Sequence, residues 1–478
     1  MPAAVPSVGK NPGVVSRNLP GFLVQLGLAG LLIFTAWVWA GLRPSLHLAA
    51  VCMAVLVLIL LLAAGRREGR RALARDPVFW LGWLFLGYVS VQCANAGREL
   101  YFDVGLKRWT YSPARWPEWP WAFDRAESLQ MLTWFFPAWI VALAVRSPLV
   151  SGRSLRQLLL VVAYSSGLLG LLGLAQFVSH TKAIYWLVDP GCVFFASFAY
   201  ANHAAAYFVL TAALTAGLLF HELFRGGRNV RRWRVALLSC SMVSCLTGAN
   251  LSLSRAGVIM AWAFGLFSAA YGLARGWLLL PPVGRVYLAA FVVAGVCIFY
   301  FVVSGFGEQS ICKEFTAKAP THHALAPALG KVNLELGDRG LLLGAAMEIW
   351  RDHRWLGVGG WGYRRLVAFH VPETSREDLR RAGKANVHCD FIQFLVEFGV
   401  AGFGLLLGAL GWMVLAVDCR GLWRDPLRLM CVIGLALVAV LSLIDLPFRC
   451  PAILYVWVLA LAALPRLYVK SMPVTTIS

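Results

Sequence analysis

The chain has 478 residues, 59% of them hydrophobic, with a mean hydropathy of +0.69. A soluble domain is roughly 45–50% apolar, so an ordinary soluble fold is excluded and an integral membrane protein is indicated. Only 14% of residues are charged, yet the net charge is +20; with no soluble basic domain to bind nucleic acid, that excess reads as a topology signal, because Lys and Arg collect in cytoplasmic loops.

Residues 1–20 are polar and are expected to form a cytoplasmic tail. A bilayer needs about 20 apolar residues per helix. By that measure the candidate spans are 21–41, 46–64, 78–95, 128–145, 156–178, 194–220, 234–250, 256–274, 286–304, 389–416, 428–445 and 451–466. The first lacks a convincing cleavage site and is taken as a retained helix, not a signal peptide. The expected fold is therefore an all-α polytopic membrane protein with about 12 transmembrane helices and a large extracytoplasmic loop between helices 9 and 10.

The expected organisation follows in chain order. Residues 21–190 form N-terminal helices, 191–305 form helices with Asn-His and Ser-Arg-Gly motifs, and 306–387 form the loop. Residues 388–466 form C-terminal helices and 467–478 a second cytoplasmic tail. With both termini inside, the cytoplasmic segments carry 22 Lys and Arg and the short outer loops 9. RREGRRALAR at 66–75 and RGGRNVRRWR at 225–234 are the strongest anchors, as topology signals beside anionic lipid. The long loop, too long for a connector, should hold three pieces. LLLGAAMEIWRDH has a helical apolar pattern at Leu342, Ala345, Ala346, Ile349 and Trp350. LGVGGWGYRR is a glycine-rich turn, and TSREDLRRAGK a short polar helix. The outer segment 96–127 is aromatic-rich, which suits either an interfacial belt or stacking on sugars.

Eleven cysteines show no CxxC pair, and no disulfide, metal or cofactor is assigned. No DxD, HExxH, GxxxxGK[ST] or GxSxG occurs. Gly357, Gly359 and Gly362 match GxGxxG but follow no strand, so a dinucleotide site is not supported.

The polar residues at helix ends are the candidates for chemistry. Arg255 in LSLSRAG opens a helix that Ser252 and Ser254 can cap. A helix N-terminus with an Arg fork suits an anion such as phosphate, although a snorkelling interfacial Arg is the alternative. His388 stands where the chain re-enters the membrane, as a general base or as a helix-end histidine bonded to backbone. Asp390 and Glu397 follow it, and Asn202 and His203 lie in the sixth span, where polar groups are costly and usually functional or paired. Asp445, in LIDLPFRCP, can cap a broken helix or pair with Arg449.

Together these segments resemble the O-antigen ligase and polymerase family of bacterial envelope glycosyltransferases. SFAYANHAAAY, LSLSRAG, GDRGLLLGAAMEIWRDHRWLGVGGWGY, VHCDFIQFLVEFGVAG and LIDLPFRCPA carry the resemblance, over roughly residues 195–465. It implies an inverting, metal-independent transfer at the inner membrane. The donor would be a glycan on undecaprenyl pyrophosphate and the acceptor a sugar hydroxyl, on lipid A core for a ligase or on a second glycan for a polymerase. By position, Arg255 and Arg339 would hold the pyrophosphate and His388 would sit beside the attacking hydroxyl. Ser252, Ser254, Asn202, His203, Asp390 and Glu397 are the expected substrate-binding residues. Where the family commonly has Asn after the histidine, this chain has Cys389. Two alternatives remain: a transporter or flippase of lipid-linked glycan or a small anion, and an enzyme using an outer-loop acid among Glu99, Asp103, Glu118, Asp124 and Glu127.

Overall fold

A computed structural model describes residues 19–65, 67–97, 100–105, 108–112, 114–225, 231–279, 282–302, 325–371 and 385–467. Apolar runs bounded by Pro, Gly and charged residues, and the short basic segment α3, become helices: α1 (Leu19–Trp37), α2 (Pro44–Ala64), α3 (Arg67–Ala74), α4 (Pro77–Ala94), α5 (Arg125–Arg146), α6 (Gly152–Val178), α7 (Ala201–Arg225), α8 (Arg232–Leu251), α9 (Arg255–Leu279) and α10 (Pro282–Val302). After them come α11 (Leu325–Asp352), α12 (Gly362–Leu366), α13 (Asp390–Leu415), α14 (Pro426–Leu441) and α15 (Pro451–Ala463). Among the described residues nine helices are long and apolar enough to cross a membrane, and three shorter apolar helices start at Pro282, Pro426 and Pro451. These twelve coincide with the expected spans, so the chain is an all-α polytopic membrane protein. One small addition is an antiparallel hairpin, β1 (Leu100–Asp103) with β2 (Arg108–Tyr111).

α7 is the buried axis. It packs on α6, α8, α9 and α14, and the described part of its apolar span is wholly inside the protein. The sixth span differs from expectation at its start. Residues 194–200 are turns, with a Phe195–Phe198 bridge and Ala196 at φ +55, and the helix begins only at Ala201. Asn202 and His203 therefore occupy a first helical turn, not the middle of a span, and their polar groups sit at a helix mouth.

The loop elements dock on α13. The apolar face of α11 foreseen from the sequence is real: Ala345, Ala346 and Ile349 are buried, and Tyr363 donates to the Leu342 carbonyl at 2.9 Å. α13 is broken at Gly399 (φ +60, ψ −175). The glycine-rich turn fits into the break, with Val358 N–H donating to Val396 O (3.1 Å) and Gly359 N–H to Glu397 O (2.9 Å). On the far side Val400 N–H donates to Arg354 O (2.8 Å) and Ala401 N–H to Trp355 O (3.1 Å). From α4, Tyr88 Oη lies within 2.9 Å of Phe398 O and Gln92 Nε2 donates to Glu397 O (3.2 Å). A break within an apolar helix needs its polar groups satisfied by protein, and these bonds supply partners on both sides of it. TSREDLRRAGK lies outside the described residues.

Candidate functional site

The site forms where α14 cannot continue. Pro447 and Pro451 remove backbone donors and bias the residues before them away from helix. Residues 442–450 become a turn ending in a 3-10 segment, Pro447–Arg449. Asp445 is 2% exposed and its Oδ1 accepts from Leu446 N–H at 2.9 Å. Around the carboxylate stand Tyr200 Oη, at 3.2 and 3.0 Å from its two oxygens, and the Asn202 amide, which also donates to Tyr200 Oη at 3.0 Å.

His388 completes the group. Its backbone takes φ +56, sparsely populated for a non-glycine residue, and its side chain is one-third exposed. Nδ1 lies 3.6 Å from Asp445 Oδ1, within ion-pair range but beyond a hydrogen bond. The next peptide but one is anchored: Asp390 N–H donates to Ser442 O at 2.9 Å. Arg339, exposed on α11, reaches the same turn, its guanidinium donating to the Ile444 carbonyl at 3.4 Å. Arg255 is exposed at the first position of α9, and Ser254 Oγ accepts from Gly257 N–H at 3.1 Å, capping the helix as expected. A Cβ on Gly257 would come 2.2 Å from Ala205 Cβ, so α9 meets α7 within a turn of Asn202. His388, Arg339, Asn202 and Arg255 thus gather at one end of the helix bundle.

The remaining expected substrate-binding residues are engaged within the protein. Ser252 is buried and turns back to the Ala249 carbonyl (2.8 Å), while Ser254 is spent on its cap. His203 Nε2 meets the Leu446 carbonyl at 3.1 Å. Asp390 and Glu397 are fully buried. Asp390 Oδ2 accepts from Phe448 N–H (2.8 Å), and Glu397 Oε2 accepts from Arg449 (2.7 Å). The pairing of Asp445 with Arg449 offered from sequence is not formed; Arg449 takes Glu397 and Asp390 instead. Tyr200 was missed, and Asp445 was read only as a cap or a partner of Arg449. The available signal was an acid in an apolar run between two prolines, and a Tyr two residues before Asn202.

Two of the outer-loop acids, Asp124 and Glu127, are otherwise engaged. Asp124 caps α5 by accepting from Ala126 N–H (2.7 Å) and Glu127 N–H (3.1 Å), and Arg365 pairs with Asp124 (3.3 Å) and Glu127 (3.4 Å). Glu118 is exposed, Asp103 ends β1, and Glu99 lies outside the described residues. Among the described residues no group of three or more His, Cys, Asp or Glu is arranged to hold a metal ion.

Residues 240–407 match a family model described as O-antigen ligase. That stretch includes Arg255, Arg339 and His388, while Asn202 and Asp445 fall outside it. No curated protein matches the chain.

Proposed function

We propose that this multi-pass membrane protein, whose residues 240–407 match a family model described as O-antigen ligase, moves a glycan from undecaprenyl pyrophosphate to a sugar hydroxyl on the extracytoplasmic side. The observation that carries the reading is the convergence of His388, Asp445 and Arg339 at one mouth of the bundle. In this reaction the acceptor oxygen attacks the anomeric carbon as the bond to the pyrophosphate oxygen breaks. A single displacement inverts the anomeric centre. With Nδ1 turned to Asp445, Nε2 of His388 is the nitrogen left to take the hydroxyl proton, and Asp445 stabilises the imidazolium that forms. Arg339 and Arg255 hold the pyrophosphate and take up its growing charge, assisted by the N-terminus of α9. Lipid A core is the acceptor for a ligase and a second lipid-linked glycan for a polymerase.

Transfer by the purified protein tests the reading directly and separates it from a flippase or transporter. His388→Ala should lose roughly 10²-fold or more in rate, the low end for a positioned base, and wild-type transfer should survive EDTA. Full activity of His388→Ala, or loss on chelation restored by a divalent cation, refutes this mechanism.

A further inference from the structure

We propose that Arg449 is a positioning residue for this site: it ties the turn carrying Asp445 to the start of α13 and so sets the approach of Asp445 to His388. The inference rests on the roles given above to His388 and Asp445, and adds a residue that touches no substrate. Arg449 is 2% exposed and closes the 3-10 turn four residues after Asp445. Its Nη2 donates to Glu397 Oε2 at 2.7 Å, and its Nε lies 3.8 Å from Asp390 Oδ1. Asp390 is two residues beyond His388, and its other oxygen accepts from Phe448 N–H, next to Arg449. The segments bearing the histidine and the aspartate are therefore joined at Asp390, with Glu397 one further anchor on the same helix.

The guanidinium is boxed as well as paired. It stacks over Trp361 of the glycine-rich turn at 4.5 Å from the ring centre and over Phe394 at 4.3 Å. Glu397 is steadied through its second oxygen by Gln393 Nε2 at 3.0 Å. A buried ion pair is a poor device for stability alone, since apolar side chains of equal volume often serve as well or better. Its strength is direction, because the planar guanidinium is held by a hydrogen bond to Glu397 while Nε stays within ion-pair range of Asp390, beyond a hydrogen bond. That suits a site where Nδ1 and Oδ1 are 3.6 Å apart. There a small shift decides whether the carboxylate bonds the ring, and a misplacement of about 1 Å can cost on the order of 10²-fold.

The test is a double-mutant cycle on the full-length protein, with an undecaprenyl-pyrophosphate-linked glycan as donor and lipid A core as acceptor, or a second lipid-linked glycan if the core is not used. Arg449→Lys keeps the charge and loses the fork. It should lower kcat about tenfold with donor KM changed less than about twofold, yet cost less than about twofold in an Asp445→Asn background, because both act through the same histidine. Equal losses in the two backgrounds, or no loss in the parent, overturn the proposal. Should Arg449→Lys fail to fold, the triple variant Arg449→Met/Asp390→Asn/Glu397→Gln, which removes the three charges of this cluster together, enters the same cycle with the same expectation. Full activity of His388→Ala run alongside would refute the transfer reading itself, a result distinct from either outcome of the cycle.

Discussion

Asp445 receives Tyr200, Asn202 and the Leu446 peptide, and faces His388 across 3.6 Å. Three neutral donors make the carboxylate rigid without neutralising it, so its charge remains available to the imidazole. Asp445→Asn keeps the shape and can still accept hydrogen bonds, but loses that charge. It should lower kcat by roughly tenfold to 10²-fold with little change in KM, read from initial rates at several donor concentrations; unchanged kcat would show that the histidine works alone. The two arginines make a separate prediction. Arg339 and Arg255 are both exposed at the mouth. Each Ala variant should reach the membrane in normal amount and lose most transfer, about 2.7–4 kcal/mol of transition-state stabilisation for one charged donor. Lys should restore little, since it lacks the planar fork. Near-normal rates in both Ala variants would remove the pyrophosphate from this end of the bundle.

At the scale of elements, the twelve spans could be read from hydropathy because each is a long apolar run bounded by prolines or charges. The junction that holds the loop to the bundle could not. FGVAG reads equally as close helix packing or as a break, and only the turn 354–359 entering from another part of the chain decides between them. Likewise 194–200 is as apolar as a helix start, and the turn there depends on backbone conformations at Phe195–Phe198 that composition does not specify. Of the site, Arg255 and His388 were legible as polar residues at helix ends, Asn202 as a polar residue within an apolar span, and Arg339 only through the family resemblance. Asp390 and Glu397 were legible as costly and therefore engaged, but their partner Arg449 lies 52 residues along the chain from Glu397, and further from Asp390, and is visible only in space. The break itself is testable. Gly399 has a conformation close to glycine-only, and a Cβ there would lie 2.4 Å from the Trp355 carbonyl oxygen. Gly399→Ala should destabilise by about 1–3 kcal/mol or more, seen as a lower melting temperature in detergent. Gly404→Ala on the same helix, where a Cβ meets nothing within 4 Å, should be neutral or slightly stabilising. Equal melting temperatures for the two variants would mean that the break is not fixed by Gly399.

For the whole molecule, the argument turns on which side of the membrane the mouth faces. α7, α9, α13 and α15 start at the site end, and α8 and α14 finish there. The alternation of helices places the start of α1 and the end of α15 at the opposite end. The charge bias, with 22 Lys and Arg in the segments of that opposite end against 9 in the short loops of the site side, is the ground for the proposal that the opposite end faces the cytoplasm. α3, which reads REGRRALA, lies among those basic segments. A reporter inserted at Arg70 should therefore give a cytoplasmic signal, and reporters after Gly105, in the turn of the hairpin, or at His322 should give an external one. A lipid-linked glycan presented outside can meet His388 and the two arginines only in this orientation. A cytoplasmic signal at Gly105 and His322 would put the mouth on the side where nucleotide-activated sugars are found, and the undecaprenyl-pyrophosphate donor would then have to be abandoned while the helical arrangement stood.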